Sequence, residues 1–489
     1  MKYIVTIDQS TSTTKAIIIN QRGQIVGRSD VRHRQIYPKS GWVEHDPNEI
    51  YDNTIKAISQ VMELTGTEKN AVSALAITNQ RETTLLWSNS SGKPLYNAIV
   101  WQCGRAADVI KQQPIAANHE YIREATGIFL SPYFPAAKAK WLCDNLDVPK
   151  DAMFGTIDSW LVYKLTGNHA TDYSNASRSQ LFNIHKRVWD ERAIDIFGLN
   201  HLAFPLVLSS NDIFGYTTVE GLFEKPIPVT GVMGDSHGAM FGQKCFEKGT
   251  GKATFGTGTS IMVNIGDEPI LSNHGIVTSI AWSISGQVEY AFEGNINSSG
   301  DTIRWLADEL GILDNAKQSE EFARKVDSSE GVYLVPAFYG LGAPHWDFDC
   351  SALISGIRRN TNKYHIARAG LESIAYQIKD IFVAIEKDMK SSVKVLKVDG
   401  GATQNDLLMQ FVADMLDIEI VKGEIEEYSA LGAAYAAGLS LGFWKDKKSL
   451  QDIPYAKKLF KPEMSRGAAA QFYNGWKQAV KRCLIKYDI

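Results

Sequence analysis

The chain has 489 residues, 44% of them hydrophobic and 22% charged, with a formal net charge of -4, a balance that excludes disordered and fibrous classes. Its Lys and Arg are scattered, so no basic face exists to neutralise a nucleic-acid backbone, and nucleic acid is not an expected partner. No window holds the roughly 18 consecutive apolar residues of a membrane helix, so membrane insertion is not expected.

Met1 leads directly into a β-like run ending at Asp8, without the pattern of a signal peptide, and the chain reads as cytoplasmic. Cys103, Cys143, Cys245, Cys350 and Cys483 lie far apart with no CxxC pair, which argues against a zinc site or a disulfide framework.

Tyr3 to Ile7 reads as a strand, Asp8-Gln9-Ser10-Thr11-Ser12-Thr13-Thr14-Lys15 as a polar turn, and Ala16 to Ile19 as a second strand. The pattern returns at Ala253-Thr254-Phe255, Gly256-Thr257-Gly258-Thr259-Ser260 and Ile261-Met262-Val263. Two similar hairpins so far apart predict two domains of related build, residues 1–245 and 246–489, with the break between Gly242 and Lys252.

In the second half, Ile374, Ile378, Ile381 and Ile385 recur at helical spacing. A strand at Val393 to Val398 breaks at Asp399-Gly400-Gly401, and a helix from Asn405 carries Leu408, Phe411, Val412 and Met415 on one side. A strand at Ile418 to Val421 and a small-residue helix at Ala430 to Gly438 follow. This βαβα order predicts an α/β fold, a sheet with helices packed on it. The last roughly 45 residues read as helical.

Three pieces together suit a nucleotide and its metal ion. A Ser, Thr and Gly turn between strands directs N–H groups and hydroxyls into one concavity. Asp8, at a strand end, is a candidate for Mg²⁺, which prefers oxygen ligands and keeps several waters. Asp399-Gly400-Gly401-Ala402, followed by Asn405, leaves room for a base or ribose against the backbone. Each piece alone is common, and the P-loop and Rossmann signatures are absent. Their order, one hairpin per half with the Gly-Gly turn in the second, points to nucleotide in an interdomain cleft.

Longer segments carry a resemblance. They are Tyr3-Ile4-Val5, Gln35 through Pro47, Thr78 through Thr84, Asn97 through Cys103, Asp172 through Arg178, Gly340 through Pro344, and Asp399 through Ala402. In these the chain resembles the FGGY carbohydrate kinases of the actin-like and Hsp70-like ATPase superfamily, most of all the glycerol kinase branch. The resemblance implies two RNase H-like domains around a cleft, ATP and Mg²⁺ bound across it, and a small polyol or sugar held mainly by the first domain.

Carried over by motif, Thr11, Ser12 and Thr13 approach the phosphates from the first hairpin and Thr257 from the second. Gly300, Gly401 and Asn405 resemble nucleotide contacts, and Arg304 stands where glycerol kinases usually have Gln. Asp8 would serve the metal, Arg81, Glu82, Trp101 and Tyr133 the polyol, and Asp235 the chemistry as catalytic base. An alcohol is a weak nucleophile, and a carboxylate in hydrogen-bond reach can orient it and take its proton.

The chain departs from the glycerol kinase pattern at Ser236 and His237, where that branch usually has Gln, and at Ser260, where it usually has Phe. Both serines line the expected substrate pocket, and their small size leaves a four- or five-carbon acceptor such as erythritol, threitol or xylulose as the alternative to glycerol. Glu220 to Glu224 lacks the His that some bacterial members offer to a phosphocarrier protein, so control by that route is not expected. A nucleotide-gated binding protein like actin or Hsp70 is the competing class, although it has no use for Arg81, Glu82, Trp101 and Asp235 together. A homo-oligomer is compatible with the sequence, which does not set subunit number.

Overall fold

Apolar and β-branched side chains on both faces of Tyr3-Ile4-Val5-Thr6-Ile7 suit a strand covered on both sides. In the computed structural model, which describes residues 1–485, this segment is β1 (Tyr3–Gln9), and Ile4, Val5 and Ile7 are fully buried. It pairs antiparallel with β2 (Thr13–Asn20), which pairs antiparallel with β3 (Ile25–Arg32). On its other side β1 runs parallel to β4 (Val72–Asn79). An edge strand, β5 (Ile213–Thr217), then lies antiparallel to β6 (Ile227–Gly234), which is parallel to β4. The six strands form one sheet in the order β5-β6-β4-β1-β2-β3.

The second half repeats this plan. Strand β7 (Thr250–Phe255) is antiparallel to β8 (Thr259–Gly266), and after β9 (Val277–Ile284) comes β10 (Gln287–Ile296), antiparallel to both β8 and β9. Strands β11 (Val395–Gly400) and β12 (Glu419–Gly423) add in parallel beyond β7. Strand β13 (Lys457–Phe460) closes a seven-stranded sheet in the order β9-β10-β8-β7-β11-β12-β13. In both sheets an antiparallel hairpin, β1–β2 or β7–β8, has two parallel strands reached through crossovers on its first strand's side, while β3 continues the meander in the first sheet and β10, then β9, extend the second beyond β8, so the repeated hairpin marks a repeated fold.

The helices obey local rules. Helix α1 (Pro47–Thr65) starts at Asp46, whose side chain accepts from Asn48 N, with Pro47 in the first helical position. After α2 (Asp235–Gly242) and α3 (Gly300–Asp308) comes α4 (Lys363–Met389), whose Ile374, Ile378, Ile381 and Ile385 are fully buried on one face. Helix α5 (Asp406–Leu416) is followed by α6 (Tyr428–Ser440) and α7 (Arg466–Cys483). The C-terminal stretch, read as helical, thus also contains β13. Its two exposed lysines and its length of four residues give no period to read, and they suit a protected edge. Residues 486–489 of that stretch lie outside the described ones. Among the described residues no helix is long and apolar enough to cross a membrane.

Helices α2 and α6 cross at backbone contact. A Cβ on Gly432 would sit 1.9 Å from the Gly238 carbonyl oxygen, and one on Gly242 would sit 2.2 Å from that of Tyr428. Backbone cannot move aside as a side chain can, so these glycines set the approach of α6 to α2, the helix that begins with Asp235. Gly432→Ala is expected to destabilise the protein by about 3 kcal/mol, the upper part of the usual overpacking range. Chemical denaturation of the variant against the parent measures it, and an unchanged midpoint would mean the helices can separate at no cost.

Candidate functional site at the carboxyl strand ends

Three adjacent parallel strands deliver the first half's polar groups to one edge. Strand β1 ends near Asp8, β4 runs into Gln80-Arg81-Glu82, and β6 ends at Gly234 just before Asp235. The register pairs Asp8 with Thr78 and Gly234 with Asn79, which places these turns side by side. Carboxyl ends of parallel strands are where open α/β sheets hold ligands.

Arg81 organises the centre. Its Nε donates to Asp235 Oδ1 at 3.0 Å, its Nη1 and Nη2 donate to the two oxygens of Glu293 at 2.8 and 2.9 Å, and Nη2 also reaches Ser236 Oγ at 3.2 Å. Gly234 makes this path possible, since a Cβ there would lie 2.6 Å from Arg81 Cδ. A second guanidinium, Arg178, donates from Nε to Glu82 Oε1 at 2.5 Å and contacts Glu293 Oε2 at 2.9 Å. Arg81 is thus set between the carboxylates of Asp235 and Glu293, and Arg178 between those of Glu82 and Glu293.

The side chains of Glu293, Glu82 and Arg178 are at most 2% exposed, whereas Asp235 is 36% exposed. Burial alone would raise the Glu293 pKa, but Arg178 and Arg81 overcome it and hold the carboxyl well below its ordinary value. Burial likewise opposes the charge of Arg81, and Glu293, Glu82 and Asp235 more than offset it, keeping the guanidinium protonated. The pairs are mutually neutralising, and Asp235 is the partner left facing the cleft.

Glu82 has φ +60°, a left-handed conformation that a non-glycine residue adopts at a cost. Its carbonyl accepts from Thr84 Oγ1 at 3.0 Å and from Lys138 Nζ at 3.3 Å, which hold the turn. The same Lys138 ammonium binds the Tyr133 carbonyl, and burial lowers its pKa to about 7. Trp101 donates from Nε1 to Thr11 Oγ1 at 3.0 Å and packs edge-on against Tyr133 with centroids 5.7 Å apart. Arg81, Glu82, Trp101, Tyr133, Asp235, Ser236 and Ser260 are brought together, the last two with hydroxyls 3.3 Å apart.

Both hairpins keep donors in reserve. In the first, Ser10 N bonds Thr13 O at 2.9 Å, and in the second, Gly256 N bonds Gly258 O at 2.8 Å. The N–H groups of Thr11, Ser12, Thr257 and Gly258 have no partner among the described residues. Ser12 is exposed, and its hydroxyl lies 3.5 Å from that of Thr13. Arg304, exposed on α3, donates to Thr257 Oγ1 at 3.3 Å and to Asp301 at 3.0 Å. Gly300 packs on the second hairpin, where a Cβ would meet Gly256 O at 2.6 Å.

Strand β11 lies beside β7 with Gly400 opposite Phe255, and a Cβ on Gly400 would meet Phe255 O at 2.2 Å. At Gly401 a Cβ would meet nothing within 4 Å, so that backbone faces open space. Asn405 caps α5, its Oδ1 accepting from Leu408 N at 2.9 Å, which leaves its amide nitrogen 3.4 Å from Ser319 Oγ.

Asp8 is buried, accepts from Ser10 Oγ at 3.0 Å, and has Lys15 Nζ at 3.3 Å. Lys15 also binds Glu427, beside the start of α6, at 2.9 Å. Burial raises the Asp8 pKa to about 6, with the Lys15 ammonium opposing the shift.

Residues 3–242 match the N-terminal domain of the FGGY family of carbohydrate kinases and residues 251–441 its C-terminal domain. The chain belongs to that family.

Glycerol kinase 1 of Thermotoga maritima is 47% identical to this FGGY protein over 493 residues, covering 99% of this chain and 100% of the relative. The glycerol kinase of a Geobacillus species is 44% identical over 491 residues, 99% of each chain. The crystal structure of Plasmodium falciparum glycerol kinase with ADP superposes with a TM-score of 0.93 at 34% identity, covering 100% of this chain and 99% of that one.

Sequence reasoning gave no role in this FGGY kinase to Glu293, Arg178, Lys252 or Lys138. The signal for Glu293 was present, an acid inside the apolar run Tyr290-Ala291-Phe292 of a buried strand. Its partners, however, are 212 and 115 residues away in sequence and only the fold supplies them. Glu293→Gln leaves two buried guanidiniums short of a carboxylate and is expected to cost about 3–5 kcal/mol of stability. Denaturant unfolding of the variant decides this, and a loss under 1 kcal/mol would mean water or rearrangement neutralises the arginines instead.

Proposed function

We propose that this protein transfers the γ-phosphoryl group of ATP to a hydroxyl of a small polyol, with glycerol as the reference acceptor and Asp235 as the base. The observation that carries the reading is the position of Asp235. One carboxylate oxygen is held by Arg81 at 3.0 Å, the residue opens a helix at the end of β6, and its neighbour Ser236 touches the second hairpin's strand. An acceptor hydroxyl at the free side of that carboxylate would lie between the two hairpins, where unspent N–H groups await phosphate oxygens.

In the step itself the hydroxyl oxygen bonds to the γ-phosphorus, the bond to the bridging oxygen breaks, ADP leaves, and the hydroxyl proton passes to Asp235. Arg81 fixes the carboxylate's direction, and Glu82 with Arg81 offers an acceptor and donor pair to a neighbouring hydroxyl. The Trp101 and Tyr133 rings supply a wall for the carbon atoms.

Thr11, Ser12 and Thr13 on one side and Thr257 on the other would cradle the phosphates, while Gly300, Gly401 and the Asn405 cap line the way to the adenosine. Arg304, tethered to Thr257, adds positive charge there. A buried carboxyl held above its ordinary range, as Asp8 is, fits a Mg²⁺ that binds through few carboxylates and substrate phosphates. The ion would supply charge neutralisation to the phosphate oxygens. The glycerol kinases named above and the ADP in one of their structures support ATP and a polyol as the substrates.

Asp235→Asn keeps the shape and removes the base, so transfer should fall by about 10² to 10⁴ while ATP affinity changes only a few fold. Coupled-assay kinetics with glycerol and calorimetric titration of nucleotide measure both. Normal turnover would take Asp235 out of the mechanism.

A further inference from the structure

Lys252 is a buried charge with no task in the mechanism above. It lies on β7, fully buried, and its Nζ donates only to neutral oxygens, Thr254 Oγ1 and the Ser260 carbonyl at 3.3 Å and Ser260 Oγ at 3.2 Å. Burial pulls its pKa below the ordinary lysine value against the opposing field of Asp399. Setting an amine with this desolvation cost on hydroxyls is expensive, and its effect is to order them.

Ser260 Oγ in turn lies 3.3 Å from Ser236 Oγ, which accepts from Arg81 Nη2 at 3.2 Å. A chain of contacts, Lys252 to Ser260 to Ser236 to Arg81, therefore crosses from β8 to the first turn of α2 beside Asp235. Each serine has one O–H. Lys252 and Arg81 each donate into one of them, and the single contact between the serines uses one of the two serine protons. The other finds no acceptor among the described residues, so the pair presents an unspent donor next to Asp235.

The remaining groups already suffice for three hydroxyls. Asp235 takes the reacting one, Glu82 with Arg81 takes its neighbour, and the Tyr133 hydroxyl, with no hydrogen-bond partner among the described residues, is available to a third. We propose that Ser236 and Ser260 form a fourth oxygen-binding position, and that the preferred acceptor is a polyol or ketose of four or five carbons. The added oxygen accepts the unspent serine proton. This rests on the polyol-kinase reading above and names the acceptor class for it.

The test is kcat/KM for glycerol, dihydroxyacetone, erythritol, threitol, ribitol, xylitol and xylulose with the parent enzyme, Ser260→Ala and Ser260→Thr. A four- or five-carbon acceptor should exceed glycerol by about tenfold, and Ser260→Ala should cut that selectivity ratio about fivefold or more, as loss of one hydrogen bond predicts. Ser260→Thr, which keeps the hydroxyl, should restore most of the ratio. A ratio is insensitive to the fraction of folded enzyme, so a purely structural defect would not move it. Glycerol as best acceptor, or a ratio unchanged in Ser260→Ala, overturns the fourth position alone. Binding of ATP with transfer to none of the seven compounds overturns the kinase reading and the fourth position with it.

Discussion

The buried pairing of Glu293 with Arg81 and Arg178 is the constraint on which the rest of the site depends. Glu293 comes from β10 in the second sheet, and both arginines come from the half that carries the first. Taking these charges out of water is costly, and the cost is offset only by close, multiple hydrogen bonds in fixed geometry. Fixing the Arg81 fork on Glu293 leaves its Nε pointing at Asp235 and one Nη at Ser236. The acid proposed as the base is thus oriented by a guanidinium that is itself anchored in the other half.

The duplicated sheet explains why such distant residues meet. Each half ends its parallel strands at the same edge, so Asp8, Arg81 and Asp235 converge from β1, β4 and β6, while Gly400 comes alongside the second hairpin from β11. Contact between the halves is set by the glycine crossing of α2 and α6, where no side chain intervenes. A helix pair held this tightly fixes the start of α2, and with it Asp235, more firmly than a loop would. The strained turn at Glu82, braced by Thr84 and the buried Lys138, is a second example of local cost borne for position.

What was legible in the sequence was what is local. The two hairpins, the helix through Ile374 and Ile385, the Asp399-Gly400-Gly401 turn and the helix beginning after Asn405 all declare themselves through period, turn residues and caps. The residues proposed to hold the polyol became legible through resemblance, because Arg81 and Glu82 read alone are an ordinary surface pair. Glu293 and Lys252 were missed because a charge inside an apolar strand gains meaning only from partners far away in the chain. Strand β13 was missed because four residues with exposed lysines carry no periodicity. Asn405 was read as a nucleotide contact, and its geometry adds a helix cap, a role that the spacing to Leu408 could have suggested.

In the proposed reaction a polyol, not water, receives the phosphoryl group. The most direct measurement is ADP formation by the parent enzyme with ATP and Mg²⁺, in the presence and absence of added polyols, with the products weighed by mass spectrometry. ADP release should depend on the polyol and be matched mole for mole by a phosphorylated polyol. ADP and free phosphate appearing at the same rate without any polyol would contradict it and favour a nucleotide-gated binding protein.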